Sequence, residues 1–139
     1  MFKHTLIAVT AGALLAAGAA SAAPTRDASL LIRHQVRGCH AWSTDGATFM
    51  ASQTLTLTRG SRLTITNNDI MSHKLVELSG PTLTFGPARM SHIGATLKLT
   101  FTHAGVYRFT TKAGEDYPSM AMMKTIGEDN VLRLTVRVP

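Results

Sequence analysis

The sequence predicts an all-β domain, an antiparallel sandwich or small barrel. Two observations carry that expectation. Apolar residues recur at every second position through most of the chain, the signature of half-buried strands. Short clusters of Gly, Pro, Asn, Asp and Ser separate those runs at regular spacing, as hairpins and tight turns require.

The first segment, "MFKHTLIAVTAGALLAAGAASAAP", is different. A basic start, an apolar run from Leu6 to about Ala20 and the small residues Ala20-Ser21-Ala22 read as a secretory signal peptide, 1–22, cut after Ala22. The run is too short for a comfortable bilayer span. Residues 23–139 are then one domain of 117 residues, enough to bury a core without a second domain.

Within that domain, Leu30, Ile32, His34 and Val36 share one face of a first strand. Residues 52–58 alternate Leu55 and Leu57 with threonines, and residues 62–66 alternate Leu63 and Ile65 with polar neighbours. Arg59-Gly60-Ser61 between them reads as a turn joining two strands. Further turns are expected at Asn67-Asn68-Asp69, Ser79-Gly80-Pro81, Gly86-Pro87 and His103-Ala104-Gly105. The alternation returns at Leu97, Leu99 and Phe101, at Tyr107, Phe109 and Thr111, and at Leu132, Leu134, Val136 and Val138. Residues 112–130 lack clean periodicity and contain Gly114, Pro118 and Gly127, so they are expected to form a long loop, where sandwiches often carry function.

Removing Lys3 with the leader leaves 13 Lys and Arg against 8 Asp and Glu, a net charge of +5. These charges alternate with apolar residues along strands, which describes a solvated basic face and argues against a nucleic-acid partner. Such a face can steer acidic partners or an anionic membrane surface toward the protein. The single cysteine, Cys39, cannot form an internal disulfide. It is a buried small hydrophobe, a reactive thiol, an intermolecular partner or a metal ligand.

Four stretches concentrate soft or borderline ligands: "GCHAW" with Cys39 and His40, "NNDIMSHKL" with Met71 and His73, "ARMSHIG" with Met90 and His92, and "DYPSMAMMK" with Met120, Met122 and Met123. Thiolate, imidazole and thioether together suit copper, especially cuprous copper, better than calcium or magnesium. Zinc accepts Cys and His but has little use for methionine. The packing alternatives are that methionines fill core gaps and that Cys39 is an inert buried residue. His34, on the apolar face of its strand, reads as a hydrogen-bonded core residue, and His103 as a solvated turn residue. A glycine-flanked serine elbow, a motif-level carboxylate pair and the HxxEH and HExxH spacings are all absent, so an enzyme is not expected.

"LTLTRGSRLTITNNDIMSHKLVEL" resembles the stretch of bacterial cupredoxins, plastocyanin- and azurin-like, in which two strands lead through an asparagine-rich turn to the first copper histidine, here His73. "ATLKLTFTHAGVYRFTTKAGEDYPSMAMMK" resembles the family's closing strands and copper loop. The resemblance runs from about Ser52 to Pro139 and implies a Greek-key β-sandwich that binds one copper ion. The chain departs from it where the family places its thiolate cysteine, two residues past the second aromatic of G-x-Y-x-F, because that position is Thr111. A hydroxyl is a poor replacement for a thiolate at copper.

By the family topology, the end of the first strand and the loops holding Met90, His92 and Met120 lie at the copper end. The resemblance therefore implies a thiolate moved to Cys39, with His73, with His40 or His92 as second imidazole, and with one methionine, Met90 or Met120, as axial ligand. Trp42 would shield Cys39 from solvent. Single-electron transfer or copper handling in the periplasm or outside the cell is the implied function, with a redox or copper-accepting protein as partner. A monomer without an integral membrane segment is expected. A metal-free binding or accessory module is the alternative, and a copper oxidase or reductase a weaker third.

Overall fold

A computed structural model describes residues 24–34, 40–113 and 131–139. Among them are eight strands: β1 (Thr25–His34), β2 (His40–Ser43), β3 (Ser52–Asn68), β4 (His73–Ser79), β5 (Arg89–Met90), β6 (Thr96–Phe101), β7 (Gly105–Ala113) and β8 (Val131–Val138). They form two layers that share β3. Its C-terminal part pairs with β1 and β6, and β2 extends that layer beyond β1. Its N-terminal part pairs with β8, and the second layer continues through β7 and β4 to β5.

Alternation places one face of each strand between the layers. Leu30, Ile32, Leu63, Ile65, Leu97, Leu99 and Phe101 from the first layer meet Leu75, Tyr107, Phe109, Leu132, Leu134 and Val136 from the second in one core. Burial of each such side chain is favourable by about 1.5–3 kcal/mol before conformational entropy opposes it. The period-two pattern thus becomes an all-β sandwich, as expected.

Two features depart from the sequence expectation. The pairings are mostly antiparallel, but β1 with β3 and β3 with β8 are parallel. Parallel neighbours need a long connection between them, and here both pairings involve β3, the strand that the two layers share. In addition, Arg59-Gly60-Ser61 does not separate two strands. The partner of Thr25 is Leu57 and that of Asp27 is Arg62, so these residues form an insertion within one continuous strand. Gly60 adopts φ +83°, a left-handed conformation that glycine tolerates best, and the bulge bends β3 from one layer into the other. Ser61, fully buried, secures the bend with Oγ 2.9 Å from Thr58 Oγ1 and 3.3 Å from the Thr25 carbonyl.

Candidate metal centre

At one end of the sandwich, elements far apart in sequence deliver a buried polar cluster. His40 opens β2 and sits across from His34, the last residue of β1. Asp69 occupies the bend after β3. His73 opens β4, directly across from Met90 at the end of β5. Thr111 lies on the adjoining strand β7. His40, Asp69, His73, Met90 and Thr111 are all buried, each with no more than 2% of its surface exposed.

Asn67 builds the bend that holds Asp69. Its amide nitrogen donates to the carbonyls of Met71 (2.8 Å) and Met90 (3.0 Å), and its Oδ1 accepts from the Asp69 backbone amide at 2.9 Å. Asp69 Oδ1 in turn accepts from the Met71 amide at 3.0 Å. Asn and Asp favour this local arrangement because their short side chains can bond the backbone two residues ahead. The same asparagine therefore ties the β3–β4 turn to β5.

The remaining carboxylate oxygen, Asp69 Oδ2, faces His40 Nδ1 in a hydrogen bond and His73 Nε2 at 3.5 Å. Burial pushes the Asp69 carboxyl upward, but the Met71 amide, the His40 hydrogen bond and the two imidazole charges outweigh it and hold the pKa below the ordinary aspartate value. An ionised carboxylate only accepts, so the ring nitrogens facing it carry the protons. When the rings are neutral, their lone pairs lie at His40 Nε2 and His73 Nδ1. The Thr111 hydroxyl donates to the latter across 3.4 Å. A carboxylate that fixes the tautomer of an imidazole is a frequent companion of metal-bound histidine.

The ring centres of His40 and His73 are 5.1 Å apart, at an interplanar angle of 81°. Two imidazoles bound to one ion through nitrogens about 2 Å from it have ring centres roughly 5 Å apart at tetrahedral angles. The spacing brings two imidazoles close together, and with the Met90 thioether on the strand beside His73 the cluster holds donor types that suit a transition metal.

Of the residues singled out from sequence, His40, His73 and Met90 come together here. His92 is exposed in the turn between β5 and β6, with Nδ1 3.1 Å from Ser91 Oγ, and is not part of the cluster. Cys39 and Met120, with Met122 and Met123, lie outside the described residues. Trp42, whose expected role concerned Cys39, is fully buried in the core. His103 is exposed as expected, and its carbonyl accepts from the Tyr107 hydroxyl at 2.8 Å.

His34 is not the buried core residue expected. It shares the inward parity of Leu30 and Ile32, but as the last residue of β1 it is exposed, its ring 5.5 Å from that of His40. Asp69, at the centre of the cluster, reads in sequence as one more turn-forming residue in Asn67-Asn68-Asp69. The available signal was its spacing, four residues ahead of a candidate ligand histidine. His34, His40 and Asp69 each offer a ligand atom, and these atoms lie within 4.8 Å of one another.

No protein-family model matches the chain, and no curated protein matches it. Among solved structures, it is similar to a purple cupredoxin from Nitrosopumilus maritimus, with 21% identity over 79% of this chain and 99% of that one and a TM-score of 0.46. It is similar to a mutant amicyanin with Cu(I), with 17% identity over 80% of this chain and 82% of that one and a TM-score of 0.42. A multicopper oxidase also matches, with 16% identity over 82% of this chain but only 42% of the oxidase and a TM-score of 0.49. The structural neighbours thus include cupredoxins.

Proposed function

We propose that this is an exported, cupredoxin-like protein that binds one copper ion and serves single-electron transfer or copper handling, as a carrier and not an enzyme. The observation that carries this reading is the convergence of His40, His73 and Met90, from three separate ligand-bearing stretches, at one buried spot. His40 and His73 supply the imidazoles, His40 in preference to the exposed His92. Cys39 supplies the thiolate that Thr111 cannot, and Met90 or Met120 the weak axial thioether. Bound there, copper would provide a one-electron Cu(I)/Cu(II) couple. The chain's own residues orient the imidazoles through Asp69 and keep water from His73 by burial.

Residues 1–22 would direct export to the periplasm or beyond the cell, leaving residues 23–139 as the working domain. Among the described residues, no helix is long and apolar enough to cross a membrane. The partner would be a redox protein or a copper acceptor. A second reading, a metal-free binding module, draws support from Thr111 and from the way Asp69 pairs with both rings.

The deciding experiment is titration of the purified, reduced protein with Cu(II) and with Cu(I), alongside a His40→Ala/His73→Ala variant. One copper per chain, lost in the variant, is expected; no stoichiometric copper in either oxidation state would leave the binding module. A reversible couple without metal loss then selects electron transfer, and rapid passage of copper to a chelator selects handling.

A further inference from the structure

We propose that Cu(II) is held by nitrogen and oxygen donors, His34, His40 and Asp69, and that this site does not need the Cys39 thiolate. The inference rests on the reading of the protein as a copper binder and departs from the ligand set given above for the oxidised ion, leaving Cys39, His73 and the thioether to the cuprous ion.

The three donors come from elements whose relative position is fixed. His34 and His40 are direct cross-strand partners on the β1–β2 ladder, so their side chains leave the same face of that layer. Asp69 is brought to His40 by the bend after β3, whose geometry Asn67 enforces through its three hydrogen bonds. The donor atoms already fall within 4.8 Å of one another.

Burial grades across the cluster in a way that suits a metal site. Asp69 and His40 are enclosed, with 1% and 2% of their surfaces exposed, whereas His34 stands open to solvent. An ion can therefore enter beside His34 and bind against a buried carboxylate. That carboxylate carries a charge that the protein must otherwise balance with imidazole protons and backbone amides. A divalent cation would balance it directly.

Donor chemistry selects the ion. Two imidazoles and a carboxylate are borderline and hard ligands, which favour Cu(II), Ni(II) and Zn(II) over Cu(I). Within that group Cu(II) binds most tightly at a given site of this kind. Soft donors on the other side of the cluster, such as Met90 across from His73, serve the cuprous ion better. His40 belongs to both donor groups, so a single copper ion occupies one or the other.

The test is Cu(II) titration of wild type, Cys39→Ala, His34→Ala and the Cys39→Ala/His34→Ala double variant, read by calorimetry, absorption and electron paramagnetic resonance, with circular dichroism to verify folding. His34 is exposed, so its replacement leaves the core intact. Expected are one Cu(II) in Cys39→Ala, weak absorption, nitrogen hyperfine structure in the resonance spectrum, and an affinity at least about tenfold lower once His34 is replaced. An intense thiolate band in wild type with Cu(II) binding abolished in Cys39→Ala would overturn the inference and leave the copper reading standing. Cu(II) affinity in Cys39→Ala unchanged by His34→Ala would overturn it as well. Failure of wild type to bind either Cu(II) or Cu(I) would overturn both.

Discussion

The two ends of the sandwich solve opposite problems. At the end where β6 turns into β7, the interior is aromatic: Phe101 and Tyr107 meet edge to face with ring centres 4.9 Å apart, and Phe109 packs 6.4 Å from Phe101. One hydrogen bond, Tyr107 to the His103 carbonyl, satisfies the polar atom of that cluster. At the opposite end, two imidazoles, a carboxylate and a hydroxyl are buried together. Burial of polar groups is unfavourable unless each finds a partner, so stability there depends on a connected network. The aromatic end secures the fold by apolar packing, and the polar end by a connected set of imidazole, carboxylate and hydroxyl groups.

Breaking the aromatic end should have the largest effect. Tyr107→Ala removes a fully buried ring and its hydrogen bond, and is expected to destabilise the protein by about 3–5 kcal/mol. Urea unfolding should show a lower midpoint at unchanged slope, while copper stoichiometry under native conditions stays at the wild-type value. Loss of copper binding in the folded variant would mean that the two ends are not separable.

Next is Asn67→Ala at the polar end. It removes the hydrogen bonds to the Met71 and Met90 carbonyls and from the Asp69 amide, and is expected to cost about 2–3 kcal/mol, since each intramolecular hydrogen bond contributes roughly 0.5–1.5 kcal/mol and a buried group left unpaired costs more. Here copper binding should fall together with stability, because the bend positions Asp69 and ties β5 to it. The contrast with Tyr107→Ala is the informative quantity: comparable unfolding shifts, but only one with lost metal.

The same contrast governs what could be read from sequence. Apolar alternation is repeated along each strand, so residues 52–58, 62–66, 96–101, 106–111 and 132–138 are legible in sequence. Ligand chemistry likewise marked His40, His73 and Met90. Arg59-Gly60-Ser61 was ambiguous, because a glycine between polar residues marks a bulge as well as a turn, and the register against β1 decides between them. The parallel pairings depend on how the chain crosses between layers, which no local pattern encodes. Asp69 was hidden for a related reason: a turn aspartate looks the same in sequence whether solvent or two imidazoles surround it. His34 had the parity of a core residue, yet its exposure follows from being at the strand's end.

A smaller effect is expected from Gly105→Ala at the aromatic end. A Cβ there would lie 2.6 Å from Pro81 Cγ and 3.0 Å from Pro81 Cδ, and φ of +148° is a conformation that residues with side chains rarely adopt. Strain of about 1–3 kcal/mol should lower the unfolding midpoint, with the affinity for copper unaffected. Changed copper affinity would show that strain in the β6–β7 turn travels along β7 to Thr111.

The smallest effect comes from an exposed aspartate that uses the same turn chemistry as Asp69. Asp45 Oδ1 accepts from the amides of Ala47 (2.8 Å) and Thr48 (2.7 Å) and from the Ser43 hydroxyl (2.6 Å). The Ser43 hydroxyl, followed by the Thr48 and Ala47 amides, holds the Asp45 carboxyl far below its ordinary pKa. Because the folded value is depressed, the turn's stabilisation is fully present above the unfolded value, about 3.9, and is lost as pH falls through the folded value. Hydrogen exchange should show protection of the Ala47 and Thr48 amides, corrected for intrinsic rates, declining steadily below about pH 4. Asp45→Asn preserves an acceptor oxygen without the titration, so its protection should be lower at neutral pH and nearly flat across that range. A steep loss in Asp45→Asn as well would assign the acid response to another carboxylate. Solvent surrounds Asp45 and weakens its local contribution, whereas the enclosed Asp69 must be balanced by imidazoles or a cation; similar local turns therefore do different work at the two sites.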